Sequence, residues 1–386
     1  MKPISALMVA AALVAGGVAC AGSPDVKFGA IVSLQGVGAA YGNSIKNGIE
    51  LAVEEINAAG GIHFKDSDVT KQITLMLRDT ESDPIVATQH ARELIDAGAH
   101  AVIGSDVSDV TLAIAPIFEE AEIVLLSPSS SSPKLTRAGD FIFRNFPSDE
   151  LEALNTADYI YNKRGLRQAA IIANQNEFGI GIKNAFIERF RQLGGRVVGQ
   201  TTYPPDATEF GSQVAEIMLL EVPAIYIAGY TRDTAAVVKA LRDAGEDAEL
   251  FATGAMLTEE LDADGKVAVE GLYYPLASFD PDSEAPHVRA FVEAYRSKYG
   301  FEPDTYAGHG YDAVMMLAQA VQEAGLDHQE IRFYLNSMNP YDGVTGLTDF
   351  DDNGDVRKFH RMHVVRGGVG VPVDRAGAVP ESAQQR

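Results

Sequence analysis

Residues 26–62 read VKFGAIVSLQGVGAAYGNSIKNGIELAVEEINAAGGI. Lys27–Ser33 is a short, mostly apolar run of strand length. Tyr41–Ala59 carries Ile45, Ile49, Ala52, Val53 and Ile56 at helical spacing, so the stretch predicts strand, turn and amphipathic helix. Ile73–Arg78 reads as the next strand. Parallel strands need such crossovers, and repeats of this unit build a parallel sheet covered by helices. The alternation continues through Pro84–Ala97, Ala101–Ile103, Ser108–Ala121, Ile123–Leu126 and Phe141–Asn145. It then restarts with a helix at Glu150–Tyr161, a strand at Gln168–Ala173, a helix at Phe178–Leu193, a strand at Arg196–Thr202 and a helix at Glu209–Leu219. A strand at Ala224–Ala228, a helix at Asp233–Ala244 and a strand at Glu249–Ala252 complete the second run. A chain of 386 residues exceeds what one core usually organises. The predicted fold class is α/β, with two doubly wound, Rossmann-like lobes.

Beyond this alternation, helices are expected at Pro286–Tyr299 and Thr305–Ala324. Gly343–Phe350 and Val356–Val365 follow, joined by the turn Asp351–Asp355, and read as a hairpin. Residues 373–386, rich in Gly, Pro, Ser and Gln, are expected to form a flexible tail.

Hydrophobic residues at 46% and charged ones at 22% are ordinary for a globular chain. Asp+Glu 54 against Lys+Arg 31 gives −23, a surface that repels phosphate backbones. No nucleic-acid partner is expected, and a cationic or zwitterionic ligand is compatible. Lys2 precedes an apolar run, Ile4–Val18, too short to span a bilayer comfortably, so residues 1–19 read as a secretory signal. Cys20 closes that run as Gly17-Val18-Ala19-Cys20, where a bacterial lipoprotein is cleaved and acylated; ordinary cleavage near Ala19 or Ala21 is the alternative. A periplasmic or extracytoplasmic location follows, with anchoring through a lipidated Cys20 as one form of it. As the only cysteine, Cys20 leaves the mature chain without a disulfide framework or thiol catalysis.

Open parallel sheets bind ligands beyond the carboxyl ends of their strands, which draws attention to Gly104–Ser108 and Ser127–Pro133. A Ser at a helix start, with first-turn N–H groups behind it, can take a carboxylate; the alternative for Ser108 is a plain helix cap. The serines of Ser129–Ser132 form either a second hydroxyl-lined turn on the same crevice or a solvated loop pinned by Pro128 and Pro133. Gly36-Val37-Gly38 lacks the third glycine of a dinucleotide loop. Asp349, Asp351, Asn353 and Gly354 open like a calcium loop, but its twelfth position is His360. His360 and His363 fall on opposite faces of a strand. No Gly-x-Ser-x-Gly elbow, phosphate loop or His-Glu-x-x-His occurs, so no catalytic activity, cofactor or metal is expected.

These segments, in this order, resemble the type I periplasmic binding proteins, in the branch that captures leucine, isoleucine, valine and related amino acids for ABC importers. The likeness runs from about Val26 to Val365. It is carried by Ala40-Tyr41-Gly42, Asn47-Gly48, AVEEINAAGG at 52–61 followed by Ile62, Val102-Ile103-Gly104, Leu126-Ser127-Pro128, Gly229-Tyr230 and GVTGLTDFDDNG at 343–354.

The resemblance implies a monomer that serves an ABC permease. It also implies a hinge of three crossings near Phe146–Asp149, Tyr274–Phe279 and Gly346–Phe350. Lobe 1 would comprise 26–147 plus 278–345, and lobe 2 would comprise 148–277 plus 346–372. By the same likeness Ser108 and Ser131 hold a ligand carboxylate, with Ser130 in the same turn, and the Ser129 carbonyl takes the ammonium. Tyr41, Phe178, Tyr230 and Tyr306 wall the side chain, and Asp149 joins the ammonium side. One position departs: where the family pairs the ammonium with a Glu after the strand near Phe251, this chain has Ala255. A buried ammonium then needs Asp149 or Asp233 as a substitute. Otherwise the ligand is an amine-free aromatic or keto acid. A ligand-sensing subunit for signalling is a further alternative to the importer receptor.

Overall fold

The computed structural model describes residues 25–358 and 360–374. The predicted signal segment 1–19, Cys20 and the tail from 375 onward lie outside the described residues. Among those described, no helix is long and apolar enough to cross a membrane.

Two sheets organise the chain. The first has the strand order Ile73–Asp79, Val26–Val32, Ala101–Gly104, Leu125–Ser127, Ile142–Arg144, all parallel. Phe28, Ala30, Ile31 and Val32 are fully buried, consistent with a central parallel strand covered on both faces. The second sheet runs Arg196–Tyr203, Gln168–Asn174, Ala224–Ala228, Glu249–Ala252, Tyr273–Ala277, His360–Arg366, Val369–Pro372. Its first five strands are parallel and its last two antiparallel.

Between the sheets the chain passes three times: after Arg144, after Ala277, and before His360. On the second passage the helix Thr305–Ala324 returns to lie against Ala39–Ala58. The two axes come close enough that a Cβ on Gly48 would sit 2.0 Å from the Ala307 carbonyl oxygen, so only glycine fits there. Tyr311 Oη donates to Glu55 Oε2 at 2.6 Å and Tyr299 Oη to the Asn47 carbonyl at 2.8 Å, tying the late helices to the first one.

The crossing expected near Tyr274–Phe279 overlaps the end of Tyr273–Ala277, a strand of the second sheet paired with both Glu249–Ala252 and His360–Arg366. The hairpin expected from Gly343–Phe350 and Val356–Val365 needs correction. Gly346–Thr348 pairs back onto Tyr341–Gly343 rather than forward onto Val356–Val365. The Asp351–Asp355 turn does close, with Asp351 N–H donating to the Asp355 carbonyl at 2.8 Å, but only Phe350 and Val356 bridge across it. The ladder stops there because both flanks are paired elsewhere, Gly346–Thr348 with Tyr341–Gly343 and His360–Arg366 with Tyr273–Ala277.

Candidate ligand-binding site

The side chains that matter stand at helix starts beyond strand ends, and ordinary capping fixes them there. Ser148 accepts from Glu150 N at the head of Asp149–Asp158, Asn176 from Gly179 N at the head of Glu177–Gln192, and Asp304 from Ala307 N at the head of Thr305–Ala324. Glu152, Phe178 and Tyr306 are therefore set in the first turns of three helices. The helix Ser108–Glu120 has Val107 at its cap position and no side-chain cap, so the cap expected as the alternative for Ser108 is absent. Ser108 Oγ instead accepts from Ser132 N at 3.2 Å, joining the two serine turns. Ser129 Oγ joins them again by donating to the Asp106 carbonyl at 2.9 Å.

One cavity collects these elements. It is lined by Tyr41, Asp106, Ser108, Ser129, Ser131 and Phe146 on one side. Glu152, Phe178, Tyr230, Gly254, Ala255 and Tyr306 complete the lining. Five rings form its wall in sequence. Phe178 stacks on Tyr230 at 5.0 Å between centroids, Tyr230 lies 5.7 Å from Tyr41, Tyr41 meets Tyr306 edge-on at 5.0 Å, and Tyr306 stacks on Phe146 at 5.7 Å. Such a wall supplies apolar area with few rotatable bonds.

The cavity is bridged by hydrogen bonds between segments that belong to different sheets. Tyr41, on the first helix, donates from Oη to the Ala255 carbonyl at 2.7 Å and accepts from Thr231 N at 3.2 Å. Tyr306 Oη donates to the Gly254 carbonyl at 3.1 Å. Outside the cavity, Glu177 N donates to Asp109 Oδ1 at 3.3 Å, and Lys134 pairs with Glu177 at 2.7 Å.

Of the residues expected at the site, Tyr41, Ser108, Ser129, Ser131, Phe178, Tyr230, Ala255 and Tyr306 line this cavity; Ser130 and Asp149 do not. The Ser130 hydroxyl is turned the other way, bonded to Thr111 Oγ1 at 2.6 Å and to the Ser105 carbonyl at 3.1 Å, where it holds the two turns together. Asp149 is fully buried beside Ser131, whose carbonyl accepts from the Asp149 N–H at 2.8 Å and whose hydroxyl, with the Arg144 charge, only partly offsets the burial of the carboxyl. Burial pushes that carboxyl up to about 7. Asp233, the other expected substitute, lies in a separate cleft at the mouth, engaged by Tyr203 Oη and by Asn174 Nδ2 at 3.0 Å.

Sequence reasoning missed two carboxylates in the cavity lining. Asp106 Oδ1 accepts from Ser33 N at 2.7 Å and Ser105 Oγ at 3.1 Å, while Oδ2 has no partner, and burial raises this acid to about 6. Glu152 is 3% exposed, and its Oε1 accepts from Gly254 N at 2.8 Å. Burial, then the neighbouring Asp149, raise the Glu152 carboxyl well above its usual range. His360 Nε2 stands 3.7 Å from Glu152 Oε2, and burial drives the imidazole down to about 3, so it is neutral. The signal for Asp106 was its place two residues before Ser108. Glu152 offered none, since a Glu in a first helical turn is ordinarily a solvated partner of the helix dipole.

The chain matches a family model described as periplasmic binding protein over residues 25–370. A Leu/Ile/Val-binding protein homolog 1 of Brucella abortus is 28% identical over 354 residues, 91% of this chain and 92% of the relative. The crystal structure of a leucine binding protein, LivK, from Thermotoga maritima superposes with a TM-score of 0.82 at 30% identity, covering 90% of this chain and 97% of that one. The branched-chain amino acid transporter substrate binding protein LivJ from Streptococcus pneumoniae, solved with isoleucine, gives a TM-score of 0.82 at 27% identity, covering 90% and 98%. Two wound sheets, a ring of aromatics with serine turns in one cavity, and full-length likeness agree: the chain is a type I periplasmic binding protein of the branched-chain amino acid branch, a binding protein and not an enzyme.

Proposed function

We propose that this protein is the extracytoplasmic receptor of an ABC importer, and that it captures a small amino acid by closing two lobes over it. The lobes are 26–147 plus 278–348, with the Tyr341–Gly343 and Gly346–Thr348 hairpin kept whole, and 148–277 plus 360–372, joined where the chain passes between the sheets. Residues 1–19 would be the export signal and Cys20 the lipid anchor. The closed form, rather than the ligand, would then be what a membrane permease reads, with the monomer as the binding unit.

The observation that carries this function is the joint lining of one small cavity. Ser108, Ser129 and Ser131 come from strand ends of the five-stranded sheet, while Tyr230 and Ala255 come from strand ends of the seven-stranded one. A ligand touching both halves shifts an open and closed equilibrium by the contacts it makes only when they meet. The serine hydroxyls and the first-turn N–H groups of Ser108–Glu120 suit a carboxylate, and the five rings suit an apolar body. The isoleucine bound to the Streptococcus pneumoniae relative supports an amino acid as that ligand. Ala255 favours an amine-free acid, but Asp106 and Glu152 in the same lining oppose a ligand that brings only negative charge.

A thermal-shift panel of amino acids, keto acids and aromatic acids on the mature domain tests the function. At 100-fold excess over Kd, a true ligand adds about 2.7 kcal/mol of stability. Retention of an amino acid without conversion supports the receptor; stabilisation only by amine-free acids contradicts the amino-acid assignment.

A further inference from the structure

Glu152 is a buried acid in the wall of the cavity, and among the described residues no Lys or Arg forms an ion pair with it. Among the described residues its recorded partners are the Gly254 N–H at 2.8 Å and the uncharged His360 ring at 3.7 Å. Arg144, the buried arginine nearby, is taken by Asp355 at 2.6 Å and by the Ser132 carbonyl at 2.9 Å. A carboxylate enclosed in this way is costly as an anion unless something positive enters with it.

We infer that Glu152 is the counter-ion for the ligand's ammonium group, reached from the helix Asp149–Asp158 and held against Gly254 beside the position where Ala255 offers no charge. This assignment rests on the amino-acid receptor function proposed above. The hydrogen bond from Gly254 N fixes one oxygen of Glu152 at the turn that follows the strand Glu249–Ala252. Ala255, the next residue, lends its carbonyl to Tyr41 and has only a methyl group to offer. The acid that the turn lacks is thus supplied from a different element, about 100 residues earlier in the chain.

The competing acids are placed less well. Asp149 and Asp233 do not line the cavity. Asp106 does, with one oxygen committed to Ser33 N and Ser105 Oγ and the other without a partner, but it stands two residues before Ser108, at the turn that takes the carboxylate. The Ser108 and Ser131 turns line the same cavity from the strand ends of the other sheet, which assigns the carboxylate of an α-amino acid to the serines and its ammonium to Glu152. A keto acid of the same shape brings no positive charge to Glu152, so it gains nothing from the carboxylate form of that acid.

Glu152→Gln keeps the shape and an acceptor for Gly254 N while removing the charge. Binding is measured by titration calorimetry on the full mature domain, using the amino acid that the panel identifies and the α-keto acid with the same side chain, for wild type, Glu152→Gln and Asp106→Asn. The expected result for Glu152→Gln is about a 10- to 100-fold loss for the amino acid, the range of a hydrogen bond to a charged group. The keto acid should bind the variant as well as or better than wild type, an inversion that a merely structural lesion does not produce. Equal affinity of wild type and Glu152→Gln for the amino acid overturns the inference and leaves the receptor function standing, as does a loss confined to Asp106→Asn. Parallel losses for both ligands also overturn it. A wild-type protein that retains no amino acid overturns the function itself, and the inference with it.

Discussion

Tyr41→Phe removes a single oxygen from the contact that joins the two halves. Tyr41 Oη donates to the Ala255 carbonyl at 2.7 Å and accepts from Thr231 N at 3.2 Å. In the variant the carbonyl keeps Thr231 Oγ1 as a donor at 2.8 Å, but the Thr231 N–H loses the acceptor it had. Losing a neutral hydrogen bond costs about 0.5 to 1.5 kcal/mol, and a stranded buried donor adds to that, so the closed form should weaken by about 1 to 2 kcal/mol. Under the proposed closure these groups would meet water when the halves part, so the open form would be unaffected and the whole cost would fall on retention of ligand. Kd should rise about 5- to 30-fold. Stopped-flow binding should show that increase in the dissociation rate, with the association rate unchanged, and the ligand-free melting temperature should hold. An unchanged Kd, or a slower association with normal dissociation, would refute closure through this contact.

Ser108→Ala should weaken a carboxylate ligand by roughly 1.5 to 3 kcal/mol, the worth of a hydrogen bond to a charged group, read by calorimetry; unchanged affinity for every ligand removes Ser108 from the site. Ser130→Ala should do the reverse, leaving ligand affinity near wild type while lowering unfolding free energy by about 1 to 3 kcal/mol, because its hydroxyl serves Thr111 and Ser105 instead of the cavity. Asp149→Asn should stabilise the protein increasingly as pH rises from about 4 to 7. The raised carboxyl holds its proton in the folded state after the unfolded chain has lost it, so wild type loses stability across that window, by at most about 1.4 kcal/mol per pH unit. Melting curves at pH 4 and pH 8 check this; a difference between variant and wild type that is independent of pH contradicts it.

The alternation of Val26–Ile62 and its successors was enough to read two wound sheets, because buried parallel strands and amphipathic crossover helices leave distinct hydrophobic periods. The rule that ligands sit beyond strand ends drew attention to Ser108 and the serine turn before Pro133, and the family resemblance singled out Ser129 and Ser131. The rule could not separate Ser130 from its neighbours, since the direction of one hydroxyl depends on Thr111 and Ser105 across the turn. Glu152 was illegible for a longer-range reason. Its burial is decided by the Gly254 turn, about 100 residues away, and nothing local in a helix rich in acidic residues distinguishes a buried glutamate from a solvated one. The turn at Asp351–Asp355 was visible as a turn, but the pairing on either side of it was not, because the partners, Tyr341–Gly343 on one side and Tyr273–Ala277 on the other, are chosen by the tertiary fold and not by the turn.

A crystal structure of the mature domain grown with the amino acid that stabilises it most is the direct measurement. The expected density is a single ligand with its carboxylate within hydrogen-bond reach of Ser108 Oγ and its body against Tyr230, held by both sheets at once. A ligand gripped by residues of one sheet alone, or lodged in the mouth cleft beside Asn174 and Asp206, would contradict capture by closure.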